Sequence, residues 1–475
     1  MLMHTMSFRA LLKAIYNGTH MALLLGLAAA LSSTAGWTHT TGAAVRGGSV
    51  ASGGTVVAGT DAGVVAVRAS DGARLWALKL PPRAAAKSTI LAHGGAAFAL
   101  STDGAMSALE LSGGAQRWRH EAGARASVGG AAYGGGTAGG RLYFGTDDGA
   151  LHALYAVDGS AQWRYETGGG AVATPALSAS GALILAPAAS DGGGGALHAV
   201  FAANGTKAWA RAWAGGAPAL AGAAAFSKPA VAGGAAAHAE HGRLFVGTGE
   251  GRLEKLDPAD GRTLCSLETG GGAFVAPPTL WLHPDGAALS VFGVLADGSV
   301  RAFDGATCAQ RWSYGAGGQS RLAAAAAVHA AHPGGAAVLV GSSAAAPTTA
   351  SSAATRLAGS AAAEAGRQVA AAISPDGARV YMAQSDQELA NAPSQRVAAL
   401  PPSLGSYVHA LDAASGALRW RKRLGGAVES EVGVDGAGGN VLVGCSDGSL
   451  YAIAPPASQC TGWVAGVLTT ACDLS

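Results

Sequence analysis

Residues 142–169 read LYFGTDDGALHALYAVDGSAQWRYETGG, and residues 244–271 read LFVGTGEGRLEKLDPADGRTLCSLETGG, in one frame without a gap. Both run apolar-x-apolar, Gly-Thr, a Gly-closed turn, an alternating stretch, Asp-Gly and finally Glu-Thr-Gly-Gly. An internal repeat restricts the fold more than any other feature. One unit cannot bury its own faces and must stack on further copies of itself. More copies occupy residues 56–80, 97–121, 183–213, 289–312, 407–424 and 440–453. The anchors Trp76, Trp118, Trp163 and Trp209 stand 42, 45 and 46 residues apart. Cys265 holds the anchor position of the next copy, Trp312 follows it by 47, and Trp420 lies 108 further on, room for two periods.

Each copy alternates apolar and polar residues in short runs bounded by Asp-Gly, Gly-Gly or Asn-Gly. Period-two alternation predicts strands with one buried face, and Asp-Gly supplies the positive backbone angles of a tight hairpin. Outside residues 21–31 no window combines helical spacing with good caps, so the chain reads as all-β. About 45 residues holding three or four strands make a propeller blade, and ring closure covers each face with a neighbour.

The motif YVHALDAASGALRWR at 407–421 and, more loosely, LHALYAVDGSAQWR at 151–164 resemble the repeat of the pyrroloquinoline-quinone-type (PQQ-like) propellers. That family includes quinoprotein alcohol dehydrogenases and the bacterial outer-membrane assembly propeller lipoprotein. WD repeats differ: their Trp precedes Asp, whereas Trp118, Trp163 and Trp420 each precede Arg. The resemblance spans residues 45–455 and implies an eight-bladed β-propeller, with seven blades as the alternative count. Eight requires that 319–406 supply one interrupted blade and that the strands near 440–453 close the ring with N-terminal or tail residues. The domain reading is then a leader over 1–35, a propeller over 36–456 and a C-terminal tail over 457–475. Low-complexity insertions at 341–366 and 384–406 are expected to be mobile surface excursions.

The leader carries Arg9 and Lys13, then eleven apolar residues (21–31), then Ser33-Thr34-Ala35, and no Asp or Glu occurs before Asp61. That is the order of a secretory signal peptide, with an organelle transit segment as the alternative. The apolar run is too short to span a bilayer, so no transmembrane span is expected in the mature chain. No cysteine precedes Cys265, so a lipid-anchored form is not expected. The protein is thus placed outside the cell or in the lumen of the secretory pathway. With a net charge of +2, bulk electrostatics point to no nucleic acid. Five cysteines exclude an all-disulfide framework, although Cys460 and Cys472 could staple the tail, and no CxxC suggests zinc.

Several motifs imitate chemistry. The Trp anchors could stack a quinone or sugar, but a ring repeated once per blade at one register serves blade packing, and Cys265 at that position fits a packing slot. Residues 444–448 (GCSDG) match G-x-S-x-G and residues 247–251 (GTGEG) part of a dinucleotide loop. A strand follows each instead of a helix, so both read as hairpin turns. His238, Glu240 and His241, and the pair His329 and His332, read as loop residues without a third metal ligand. Arg419, Arg421 and Arg423 alternate onto one face, read as the solvated edge of an outer strand. Asn204-Gly-Thr206 is a candidate glycosylation site in an exposed turn.

In enzymes of the PQQ-like family the quinone rests on a disulfide of adjacent cysteines, with calcium and an Asp base. This sequence has no adjacent Cys pair, and its repeated Asp71, Asp158 and Asp260 occupy turn positions, which leaves none singled out as a base. The expectation is a monomeric, non-catalytic scaffold that binds a protein or glycan without a cofactor. The alternative is a PQQ- and calcium-dependent dehydrogenase oxidising an alcohol or sugar.

Overall fold

The computed structural model describes residues 36–455 except 214–224, 228–242, 316–325, 329–370, 385–405 and short stretches within 82–89, 135–139, 179, 190–194, 271–298, 374–378 and 429–438; it also describes three strands within 462–474. The leader 1–35, the insertion 341–366 and most of 384–406 therefore lie outside the described residues. All described elements are strands. They form eight blades around a ring, each built on a four-stranded antiparallel sheet.

Blades 1 to 6 span residues 45–79, 91–121, 126–166, 176–213, 225–268 and 279–315, with their strands in chain order from the axis outward. Blade 7 carries its four strands at Ala371–Ile373, Arg379–Gln384, Ser406–Asp412 and Leu418–Leu424. One interrupted blade, not two, therefore fills the long gap between Trp312 and Trp420. Blade 8 takes three strands from residues 433–453 and its outermost from the N-terminal strand Trp37–Thr40. Trp37 pairs with Ala452 and Thr40 with Ser449, and the Thr41 amide donates to the Gly448 carbonyl at 2.8 Å. The first and last parts of the propeller thus share one sheet, which leaves no open end in the ring.

The cores lie between the blades. Eight buried clusters each draw side chains from two neighbouring blades, for example Val57, Ala66 and Trp76 of blade 1 with Ala97, Ala99 and Leu109 of blade 2. The prediction of one buried face per strand describes only the outermost strands, such as Arg74–Lys79 and Ala161–Glu166, where exposure alternates. Second strands such as Thr55–Thr60 and Leu289–Val294 are buried along their whole length, because neighbouring blades cover both faces. Small residues belong where blades meet this closely: a Cβ on Gly145 would overlap Val172 of the following connection.

Blade 7 departs from the pattern at both edges. Ala326–Val328 adds an inner strand parallel to Ala371–Ile373, and Cys472–Leu474 adds an outer strand parallel to Leu418–Leu424. Residues 457–475, read as a tail, also hold a hairpin between Gly462–Val464 and Val467–Thr469. The Arg419–Arg423 run is consequently not an open edge. Arg421 pairs in the ladder with Asp473, its guanidinium lies 5.3 Å from the Tyr407 ring centroid, and Arg419 is ion-paired to Asp412 at 2.6 Å. The sequence reading missed this because a strand pairing parallel across 52 residues leaves no local turn signal.

Candidate functional site

The anchor residues meet at the joints between blades. Each indole sits on the outermost strand of one blade and rests on the glycine turn between the third and fourth strands of the next. Trp76 donates its Nε1 hydrogen to the Leu111 carbonyl at 2.9 Å, Trp118 to Ala156 at 3.1 Å and Trp163 to Ala202 at 3.1 Å. Trp209 donates to Pro258 at 2.8 Å and Trp312 to Ala413 at 3.0 Å. The glycines beneath them have positive φ, and the rings leave no room for a side chain. A Cβ on Gly114 would lie 2.6 Å from Trp76, and one on Gly205 2.7 Å from Trp163.

Trp37 keeps this scheme, whereas Trp420 departs from it. Trp37, which the sequence reading missed, docks on Gly72 and donates to the Ala69 carbonyl at 2.7 Å, closing blade 8 onto blade 1. Its signal was weak, because the N-terminal strand carries a tryptophan without the rest of the repeat. Trp420 is 2% exposed and packs into a cluster with Val428, Val434 and Val443. It has no glycine turn to meet, since the third and fourth strands of blade 8 come from opposite ends of the propeller and no hairpin joins them.

Between blades 5 and 6 the contact is covalent. Cys265 at the anchor position forms a disulfide with Cys308, with Cα atoms 6.1 Å apart. Cys308 stands four residues before Trp312, as Gly72 does before Trp76 and Gly114 before Trp118. It keeps the positive φ of those glycines, at 64°. One tryptophan and its docking glycine are thus replaced together by a cysteine pair. The reading of Cys265 as a plain packing slot is corrected, and the four-residue offset was the signal that could have found its partner. Cys460 lies outside the described residues, so its pairing with Cys472 does too.

A second contact lies two residues beyond the anchor, and its chemistry changes from joint to joint. The Tyr165 hydroxyl meets His198 Nδ1 at 3.1 Å, Arg211 is ion-paired at 2.8 Å to Glu254, which is 3% exposed, and the Tyr314 hydroxyl meets His409 Nδ1 at 3.2 Å. At the corresponding register of blade 3, His152 stacks on Phe144 and lies 3.1 Å from Thr146 Oγ1. Burial, with the Arg164 charge, lowers His152 to about 4, against the opposing pull of Asp148. Burial likewise lowers His198.

The repeated carboxylates hold turns. Asp71 accepts from the Ala73 amide at 3.0 Å, Asp158 from Ser160 at 2.9 Å and Asp260 from Arg262 at 3.0 Å. The Arg311 guanidinium, 2.5 Å from Asp304, holds that carboxyl well below the usual carboxylate range. Asp103, Asp148 and Asp297 form a second set in the opposite hairpin turns, ion-paired to Arg119, Arg164 and Arg301. Burial works to raise each of them, but hydrogen bonds and the arginine charge outweigh it.

The motifs that imitate catalysis fall in hairpins. Residues 444–448 turn between Val441–Gly444 and Ser449–Ile453, where Cys445 is a buried thiol and the Ser449 amide donates to Asp447. Residues 247–251 turn between Arg243–Gly247 and Arg252–Leu256, with the Gly251 amide donating to the Thr248 carbonyl at 3.1 Å. His238, Glu240, His241, His329 and His332 lie outside the described residues. Among the described residues no three His, Cys, Asp or Glu side chains converge as a metal site would require. The disulfide among the described residues joins cysteines 43 residues apart at the outer rim, unlike the adjacent pair against which PQQ would rest. The described residues therefore do not fit that cofactor. Asn204 is exposed, and its Oδ1 accepts from the Thr206 amide and hydroxyl at 3.1 and 2.9 Å.

The family model described as outer membrane protein assembly factor BamB matches residues 26–132, 112–226, 193–389 and 366–457. Among solved structures, the chain is similar to BamB from Moraxella catarrhalis, with TM-score 0.53 and 17% identity over 87% of this chain and 97% of that one. It is also similar to the computationally designed Ika8 protein, with TM-score 0.54 and 12% identity over 88% and 98%. Comparison with curated proteins finds no match.

Proposed function

Given that the chain belongs to the BamB-like family of PQQ-repeat β-propellers, we propose that it is a non-catalytic binding scaffold that presents the loops of its ring faces to a protein or glycan. The observation that carries this reading is the occupation of the conspicuous side chains. The indoles Trp37, Trp76, Trp118, Trp163, Trp209 and Trp312 are spent on joints, and the repeated carboxylates on turns and ion pairs. Among the described residues, what these leave for recognition is surface. The family model carries the name of an outer membrane protein assembly factor, and that name supports a protein partner here.

The same reading places the protein in an oxidising compartment, secreted or lumenal, as a monomer. The Cys265–Cys308 disulfide supports the compartment, because such bonds persist where thiols are not kept reduced. No helix among the described residues is long and apolar enough to cross a membrane.

The test is a calorimetric titration of residues 36–475 with PQQ and calcium, beside crosslinking capture in the native compartment. The scaffold reading expects no heat at micromolar cofactor and a partner crosslinked to the face loops. Stoichiometric PQQ binding followed by alcohol- or sugar-dependent reduction of a dye would overturn it in favour of a dehydrogenase.

A further inference from the structure

The joint between blades 5 and 6 differs from its neighbours in one chemical respect: its outer contact can be broken by electrons. Its inner half is built differently. Phe274, fully buried, comes from the connection between the two blades and fills the space beside Gly247 of blade 5 and Gly293 of blade 6. A Cβ on Gly247 would lie 2.5 Å from the Phe274 ring. The Phe274 amide donates to the Thr248 carbonyl at 3.0 Å, and Phe245, Leu253, Val291 and Phe303 pack in the same cluster. The axial side of the joint is therefore an apolar wedge, and the rim side is the disulfide.

We propose that Cys265–Cys308 is a thiol–disulfide exchange site that makes this one joint redox-conditional: a dithiol reductant releases the rim while the Phe274 wedge keeps the ring closed. Cys265 is partly exposed on the outermost strand, whereas Cys308 is 1% exposed, so attack falls on Cys265 Sγ. The reductant's thiolate bonds to that sulfur as the Cys265–Cys308 bond breaks, and Cys308 leaves as a thiolate that takes up a proton. The reductant's second thiol then displaces Cys265, leaving two protein thiols and an oxidised reductant. At six other joints an indole rests on the turn glycine and holds the gap under any redox condition. Here the gap left behind contains two small thiols, one of them on a backbone with positive φ. With neither a bond nor a large ring to order them, strand Thr263–Glu268 and turn 304–309 lose their mutual support.

The deciding experiment is hydrogen exchange of the full chain, untreated and reduced with dithiothreitol, with Cys265 and Cys308 identified as the thiols released by mass-mapped alkylation. We expect exchange within 263–268 and 304–309 to rise about tenfold or more on reduction, while the indole-held joint at 116–121 and 155–160 is unchanged. The double variant Cys265→Trp/Cys308→Gly rebuilds the indole-on-glycine contact and should respond to dithiothreitol at neither segment. Equal exchange in oxidised and reduced protein would overturn the proposal. So would cooperative unfolding of the whole chain on reduction, which would make the bond a global staple, or alkylation of both cysteines in untreated protein. A redox response persisting in the double variant would overturn it as well.

Discussion

Cys265 and Cys308, 43 residues apart in sequence, bond across the gap that at the joint of blades 1 and 2 is closed by contact between Trp76 and Gly114. The pair is a coupled replacement: neither cysteine suits the partner that the ordinary joint would offer. An indole facing Cys308 would meet a side chain where the other joints have none. A cysteine facing a glycine would leave a void.

That coupling predicts strong non-additivity. Cys265→Trp alone should destabilise the protein by about 2 kcal/mol or more, through crowding against the Cys308 side chain. Adding Cys308→Gly should recover most of the loss, because it removes the obstruction and relaxes the positive φ of Cys308. Denaturant unfolding of the two single variants and the double variant measures this directly.

Indole-held joints should each be expensive to weaken. Trp163→Ala removes the ring from Gly205 together with its hydrogen bond to Ala202, at a cost of about 3–5 kcal/mol. Gly114→Ala places a methyl 2.6 Å from the Trp76 ring at a φ of 73°, and the indole must move to admit it. Urea midpoints of both variants should fall, with hydrogen exchange rising first at the affected joint.

Deleting residues 36–40 removes the outer strand of blade 8 and the Trp37 dock on blade 1. Because ring closure protects every joint from fraying, this deletion should lower the melting temperature more than Trp37→Ala does. Exchange protection should be lost first along Ser449–Ile453 and Gly63–Arg68.

Glu254, 3% exposed, depends on Arg211. Arg211→Ala should cost about 3 kcal/mol by leaving a buried carboxylate without its cation. Arg211→Leu/Glu254→Leu, which removes both charges, should cost less than the single change. A double-mutant cycle by denaturant unfolding reads the difference.

Acid should act in two stages. His152 is held at about 4 when folded, against 6.5 unfolded, so below 6.5 the unfolded chain takes up a proton that the native state refuses. Stability is then lost as the pH falls from about 6.5 to 4, by at most about 3 kcal/mol from this residue. His198 adds to the loss in the same sense. The lowered carboxyls Asp304 and Asp412 lose their contribution only as the pH falls below the ordinary carboxylate value of 3.8. In His152→Gln the first stage should shrink while the second stays, as unfolding free energy against pH would show.

The sequence by itself determined the all-β class, the repeat and the anchor register, since every blade meets the same packing problem with residues close together along the chain. Asp-Gly turns and the Trp four residues beyond the turn glycine are local, so they recur visibly. The tertiary structure decided what depends on distant pairing. It joined Cys265 to Cys308, paired Trp37 with Ala452 across the closure of the ring, and laid Cys472–Leu474 against the edge that holds Arg421. A strand edge accepts any backbone, and a cysteine records no partner. Such contacts are chosen only when the closed ring brings the segments together and removes the alternatives.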